Sequence, residues 1–257
     1  MEDSTRKSVR TVVLKSIPIL FVLLSWLIVA ESGLLRPLQL PSPILVAQSL
    51  AQTLISGELA VHALASVGRV LVSFALILFL AIPIGVALGW YRQVGEAFGP
   101  LVELFRTISP ISWIPLAILW FGIGNEPAIF ILFMSGFFPL LIASSNAVSQ
   151  VNPVFIKVAN NMGASDSTML VQVILPASIP YIFVAARISL GIIWVVVVAA
   201  EMAGLRNGLG YLILDGRNLL RTDLVMGGML VIGLIGLCLD RLMLIGEASL
   251  RKRGFLQ

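Results

Sequence analysis

Six apolar runs dominate this chain, at about 15–33, 67–89, 103–122, 127–148, 177–200 and 224–246. An α-helix needs about 20 apolar residues to cross a hydrocarbon core. Inside that core every backbone N–H and C=O must be satisfied within the segment. The runs therefore predict an all-α membrane protein with about six transmembrane helices, forming one domain over 1–257. Composition agrees, with 58% hydrophobic and 12% charged residues against about 25% charged in ordinary soluble domains. The net charge of +4 is loop charge, because no basic cluster interleaves with aromatics as nucleic-acid binding requires. No A-x-A-like cleavage site follows the first run, so it reads as a retained helix and not a signal peptide.

The third run is broken by Pro110 and Pro115. Proline removes a backbone donor and kinks a helix. Such breaks survive in membranes only where protein or a water-lined cavity satisfies the freed groups. This span is thus expected to shape a pathway. Ser109 and Ser112 supply small hydroxyls there, able to bond an oxyanion or to satisfy the kink itself. Trp113 is a gate candidate or a core side chain, and Trp120 an interfacial anchor.

Lys and Arg counts set the orientation. With the N-terminus inside, Arg6, Lys7, Arg10, Lys15, Arg92, Arg106, Lys157, Arg241, Arg251, Lys252 and Arg253 fall inside. Arg36, Arg69, Arg206, Arg217 and Arg221 fall outside. Both termini are then cytoplasmic, and the polar interruption at 150–176 faces the cytoplasm. That interruption carries helix punctuation. Asn152 caps and Pro153 suits the first helical position. Gly163 supplies a left-handed stop, Ser165 or Asp166 caps a second short helix, and Pro176 marks entry to the next span. On the first helix, Phe155, Ala159 and Met162 fall on one face. A plain connecting loop is the competing reading.

This stretch resembles the cytoplasmic E-A-A loop of permeases from binding-protein-dependent ATP-binding cassette importers. Aligned on Gly163, the chain has Lys157-Val158-Ala159 for E-A-A, Val173 at the isoleucine position, and Leu175-Pro176 closing the motif. The glutamate and first alanine are replaced. The motifs LPSP at 40–43, SVGR at 66–69, WFGIG at 120–124, the stretch 187–204 and GLGYLI at 208–213 look like permeases for nitrate, bicarbonate, sulfonate and taurine. WFGIG is nearer the sulfonate and taurine branch.

The resemblance implies a type I importer (MetI-like) permease fold in a bacterial inner membrane, pairing with a second copy around a path for a small anionic solute. Sulfonate, taurine, nitrate, bicarbonate and cyanate are the expected solutes. It implies a coupling segment, carried by Phe155, Lys157, Ala159, Met162, Gly163, Ala164, Ser165, Asp166, Leu175 and Pro176, that docks on a pair of separate ATPase subunits. ATP and Mg²⁺ would sit on those partners, with no cofactor or metal in this chain. An extracytoplasmic substrate-binding protein would deliver the solute. The P-loop pattern G-x-x-x-x-G-K-[ST] is missing, so ATP hydrolysis is not expected here.

Arg187 lies about ten residues, or roughly 15 Å, into the fifth span. It is either an electropositive element of the path or a structural arginine bonded to carbonyls or reaching the inner surface. Glu201, closing that span, is an outer gate residue or an interfacial carboxylate. His62 and Cys238, single of their kinds, read as an outer-edge polar residue and a small apolar one. Gly85 and Gly89 form a G-x-x-x-G pair. Residues 43–56, capped by Ser42, read as a short amphipathic outer helix. A stand-alone secondary transporter or channel is the alternative, but paired interrupted helices in two halves are not evident. An intramembrane enzyme would need a motif such as H-E-x-x-H.

Overall fold

The computed structural model describes residues 2–36 and 38–252, with side chains from 17 to 248 apart from residue 37. Arg6, Lys7, Arg10, Lys15, Arg251, Lys252 and Arg253, used above for orientation, lie outside the described side chains. The helices are α1 (Glu2–Glu31), α2 (Pro43–Ile55), α3 (Glu58–Trp90), α4 (Arg92–Thr107), α5 (Ile114–Phe121), α6 (Asn125–Ser149), α7 (Pro153–Asn161), α8 (Asp166–Met169), α9 (Leu175–Met202), α10 (Leu209–Asn218) and α11 (Thr222–Lys252). Among the described residues four helical runs are long and apolar enough to cross a membrane: Glu58–Trp90, Asn125–Ser149, Asp166–Met202 and Thr222–Ala248. A bent pair, Arg92–Thr107 with Pro110–Phe121, makes a fifth if counted as one span.

The run 103–122 is therefore not one helix. Ile108 (ψ 122°) and Ser109 (ψ 130°) are extended, because the ring of Pro110 disfavours helical geometry just before it. A 3-10 turn, Pro110–Trp113, starts the next segment. The two halves meet at 86°.

The chain divides into two compact units, residues 1–60 with 212–231, and 61–211 with 232–257. In the first, Ser42 Oγ accepts from the Leu45 amide and Pro43 opens α2. Trp26 Nε1 donates to the Pro41 carbonyl at 3.0 Å, and Arg221 Nη2 donates to Ser49 Oγ at 3.2 Å. Gly227 lets Leu50 approach.

In the second unit α6 and α9 pack along their length. Fully buried Ile131, Leu132, Leu140, Ile193 and Val197 form the seam. Gly136 lies so close to α9 that Ser189 Oγ donates to its carbonyl at 3.0 Å. Gly85 and Gly89 of α3 face α6. A Cβ at Gly85 would sit 2.5 Å from the Leu141 carbonyl oxygen, and one at Gly89 would strike Ser145. The G-x-x-x-G pair thus marks a real close helix approach.

Candidate functional site

Two polar features occupy opposite ends of α9. The first is the segment joining α6 to α9. Asn152 Oδ1 accepts from the Val154 amide at 2.9 Å and Pro153 opens α7, satisfying that helix start as expected. Gly163 has φ +77°, and the Ala164 amide returns to the Ala159 carbonyl at 3.0 Å. That is a helix stop built on a left-handed residue. Ser165 Oγ then accepts from the Thr168 amide.

The second helix is not a separate short piece. From Asp166 the chain runs through α8 and a π-helical stretch, Leu170–Ile174, directly into α9. Pro176 follows that stretch. Its absent N–H and its ring both disrupt the ordinary i−4 ladder, which the wider turn absorbs.

The apolar stripe is also placed differently from the sequence expectation. Ala159 is buried, in a cluster with Val86, Val148, Val151, Met169, Ile174 and Ile182. Phe155 and Met162 are exposed, and with them Val154 and Val158. These four occupy one flank of α7. Ile156 and Ala164 pack inward, while Lys157, Ser165 and Asp166 face outward. Leu175 and Pro176 are partly buried at the start of α9. The segment is thus an apolar exposed flank fixed to the ends of α3, α6 and α9 by its other flank.

At the other end of α9, Glu201 is wholly buried. It is not exposed to solvent. Arg69 Nη1 of α3 donates to its Oε1 at 2.7 Å, with both side chains at most 5% exposed. Ser66 Oγ donates to Glu201 Oε2 at 2.9 Å, and the Gly210 amide donates to the same oxygen at 2.8 Å. Arg69 donates further from Nε to Asn125 Oδ1 at 2.8 Å, from Nη1 to the Asn207 carbonyl at 3.2 Å, and from Nη2 to Asn207 Oδ1. The Gly208 amide donates to His62 Nδ1 at 3.0 Å, and the Leu209 amide to Ser66 Oγ at 2.8 Å. Arg69 is therefore not a solvated charge but the centre of a buried network, and His62 is likewise buried.

Positions 62, 66 and 69 share one helix face, so α3 presents three polar groups to a single loop. The loop needs glycine. Gly208 has φ +115°, and a Cβ there would overlap the Glu201 carboxylate. Buried charge is tolerated because each partner is opposed and hydrogen-bonded.

A family profile for the inner membrane component of binding-protein-dependent transport systems matches residues 81–252. The chain belongs to that family. It is the membrane-spanning permease subunit of an ATP-binding cassette importer, not its catalytic component. As such it works in the inner membrane with an ATPase and a substrate-binding protein. Among its relatives, the ABC transporter permease protein MJ0413 of Methanocaldococcus jannaschii is 43% identical over 72% of this chain and 70% of its own length. The taurine transport system permease protein TauC of Escherichia coli is 36% identical over 93% of this chain and 87% of its own. A chain of the MetNI methionine ABC transporter in an inward-facing conformation has the same fold, with TM-score 0.59 and 20% identity. That match covers 72% of this chain and 94% of that one.

In this permease Arg187 is tied to α11, not to carbonyls. Its Nε donates to Asp240 Oδ1 at 2.7 Å and its Nη2 to Asp240 Oδ2 at 3.0 Å, with Glu247 at 3.5 Å. Asp240 and Glu247 were not picked out from the sequence. Spacing within one helix does not reveal partners on another. Trp113 stacks with Phe105 (centroids 6.1 Å) and meets Phe130 edge-on (6.2 Å), so it packs into an aromatic cluster at the bend. Its buried Nε1 has no hydrogen-bond partner. Ser109 and Ser112 are exposed there. Among the described residues no group of three His, Cys, Asp or Glu is placed to hold a metal ion.

Proposed function

We propose that this permease imports a small solute bearing an oxyanion group, a sulfonate such as taurine, by pairing with a second copy of itself and coupling to ATPase subunits through α7 and the Gly163 elbow. The observation that carries the coupling part is the exposed flank of Val154, Phe155, Val158 and Met162 on a helix whose opposite flank is locked into the bundle ends. Such a helix offers an apolar ridge to a groove and passes its displacement through the elbow, α8 and the π-turn into α9. Lys157, Asp166 and the hydroxyl of Ser165 border that ridge as polar rim contacts. ATP and Mg²⁺ act on the partner subunits, and the segment 150–176 and both termini face the cytoplasm. The bundle end holding Glu201 then faces outward, where a binding protein delivers solute. Relatedness to a taurine permease supports the solute class.

Gly163→Val tests the coupling. A Cβ at Gly163 meets nothing within 4 Å, so the substitution acts through backbone strain alone. The expected result is normal membrane insertion with binding-protein-stimulated ATPase lost. Unchanged stimulation refutes the coupling role. Calorimetry of the cognate binding protein with taurine, nitrate and bicarbonate tests the solute class. Tight binding only of compounds that carry no oxyanion group refutes it.

A further inference from the structure

Helix α4 carries charge to the level of the middle of α6. It starts beside the end of α3, where a Cβ on Gly95 would press on the Leu88 carbonyl, and runs back along α6. At its far end Phe105 stacks on Phe138 of α6 at 5.8 Å. Phe138 is 13 residues from the start of α6 and 11 from its end, roughly 20 and 17 Å along the axis. The far end of α4 is therefore at mid-span.

Three flanks can be told apart on α4. Gly95, Gly99, Val102 and Phe105 are partly buried, at the spacing of one helix face. On one side of them Val94, Phe98, Leu101 and Leu104 are exposed and apolar, suited to lipid. On the other side lie Arg92, Glu96, Glu103 and Arg106. Arg106 Nη2 donates to Glu103 Oε1 at 2.6 Å, with the side chains 49% and 57% exposed. A half-exposed ion pair at this depth does not face hydrocarbon. Intramembrane charges turn to the bundle interior or to water.

The surface beside the pair is recessed, with polar side chains set among apolar ones. Glu103 lines a cavity of about 180 Å³ with Ser145 and Asn146 of α6. Asn146 also lines a second groove of about 370 Å³ together with Gln150 and Tyr181. Polar side chains and recessed volume thus continue from mid-span to the α7 end of the bundle.

We propose that the Glu103–Arg106 edge of α4 lines a water-filled vestibule of the transport path, and that Arg106 is the cationic group the solute's oxyanion group meets there. The second half rests on the anion reading above; the first does not. Glu103 engages one of the five guanidinium N–H donors of Arg106, so the arginine is oriented by its neighbour and still has donors for an oxyanion. The exposed hydroxyls of Ser109 and Ser112 follow at the bend.

The test uses the assembled transporter in proteoliposomes, in a Cys238→Ser background that removes the native thiol. Arg106→Cys, Glu103→Cys and Leu101→Cys are each exposed to a membrane-impermeant methanethiosulfonate bearing a sulfonate group, with and without ATP. We expect Arg106→Cys and Glu103→Cys to react at least about tenfold faster than Leu101→Cys, which lipid shields. Equal rates at all three positions, or no reaction at the first two in either state, overturn the vestibule. If Arg106→Cys does not assemble, Glu103→Cys decides alone. Taurine uptake is then compared in Arg106→Gln and Arg106→Lys. A rate lowered about tenfold in the first and partly restored in the second, with solute affinity of the binding protein unchanged, supports the arginine's role. Unchanged uptake in Arg106→Gln overturns it. If the unsubstituted transporter carries no solute with an oxyanion group, the import reading fails while the labelling pattern still decides the vestibule.

Discussion

Arg69→Met should destabilise the permease strongly, because it strands a buried charge. The substitution keeps much of the side-chain volume but removes four donated hydrogen bonds, to Glu201, Asn125 and twice to Asn207. It leaves a carboxylate with no solvent exposure facing only Ser66 and the Gly210 amide. Breaking a buried pair on one side costs about 3–5 kcal/mol. At about 2–4 °C per kcal/mol for chains of this size, the unfolding midpoint should fall by about 6–20 °C. The pair Arg69→Met with Glu201→Gln should recover part of that loss, since the stranded charge is gone. Thermal unfolding of the purified transporter, followed by size-exclusion chromatography after heating, reads both values. A shift under about 2 °C for Arg69→Met, or a double variant losing the sum of its singles, would refute the buried-charge account.

Gly208→Ala should lower the midpoint by a similar amount, because its methyl enters the space of the Glu201 carboxylate at φ +115°. Gly68→Ala, a helical glycine with nothing within 4 Å of its would-be Cβ, should instead be neutral or stabilising by about 0.4–1 kcal/mol. Gly85→Val should block α3 from α6 and abolish monodisperse protein, since its Cβ would lie 2.5 Å from a backbone carbonyl that cannot move aside. Phe155→Asp combined with Met162→Asp should leave the midpoint of the isolated permease unchanged within about 1 kcal/mol, as both side chains are exposed. Co-purification with the ATPase should nevertheless be lost.

What the sequence disclosed was local. Ser42-Pro43, Asn152-Pro153 and Gly163 specify caps and stops whose partners lie within a few residues, and the structure has them as read. Pro110 announced the break in the third run but not its angle, because the direction of the second half is set by packing against α6. The buried network could not be read. Glu201 and Arg69 are 132 residues apart, and a charged residue at the edge of an apolar run looks the same whether it meets water or a partner. The sequence alone supplies no reason for the residues of SVGR at 66–69 and GLGYLI at 208–213. The reason is a loop that needs close backbone approach to one carboxylate. Ala159 was misplaced because a stripe at helical spacing does not say which flank is inward.

The unbroken run from Asp166 to Met202 spans 37 residues, roughly 54 Å as a straight rod. Its two tips are the elbow after α7 and the carboxylate of Glu201. A rod of that length pivoting by about 10° at one tip sweeps the other through about 9 Å. In the coupling proposed above α7 is the driven end, and a push on it is divided at the π-turn before Pro176 between flexing that turn and swinging the shaft. Stiffening that turn would lengthen the stroke delivered to the loop clasped by Arg69.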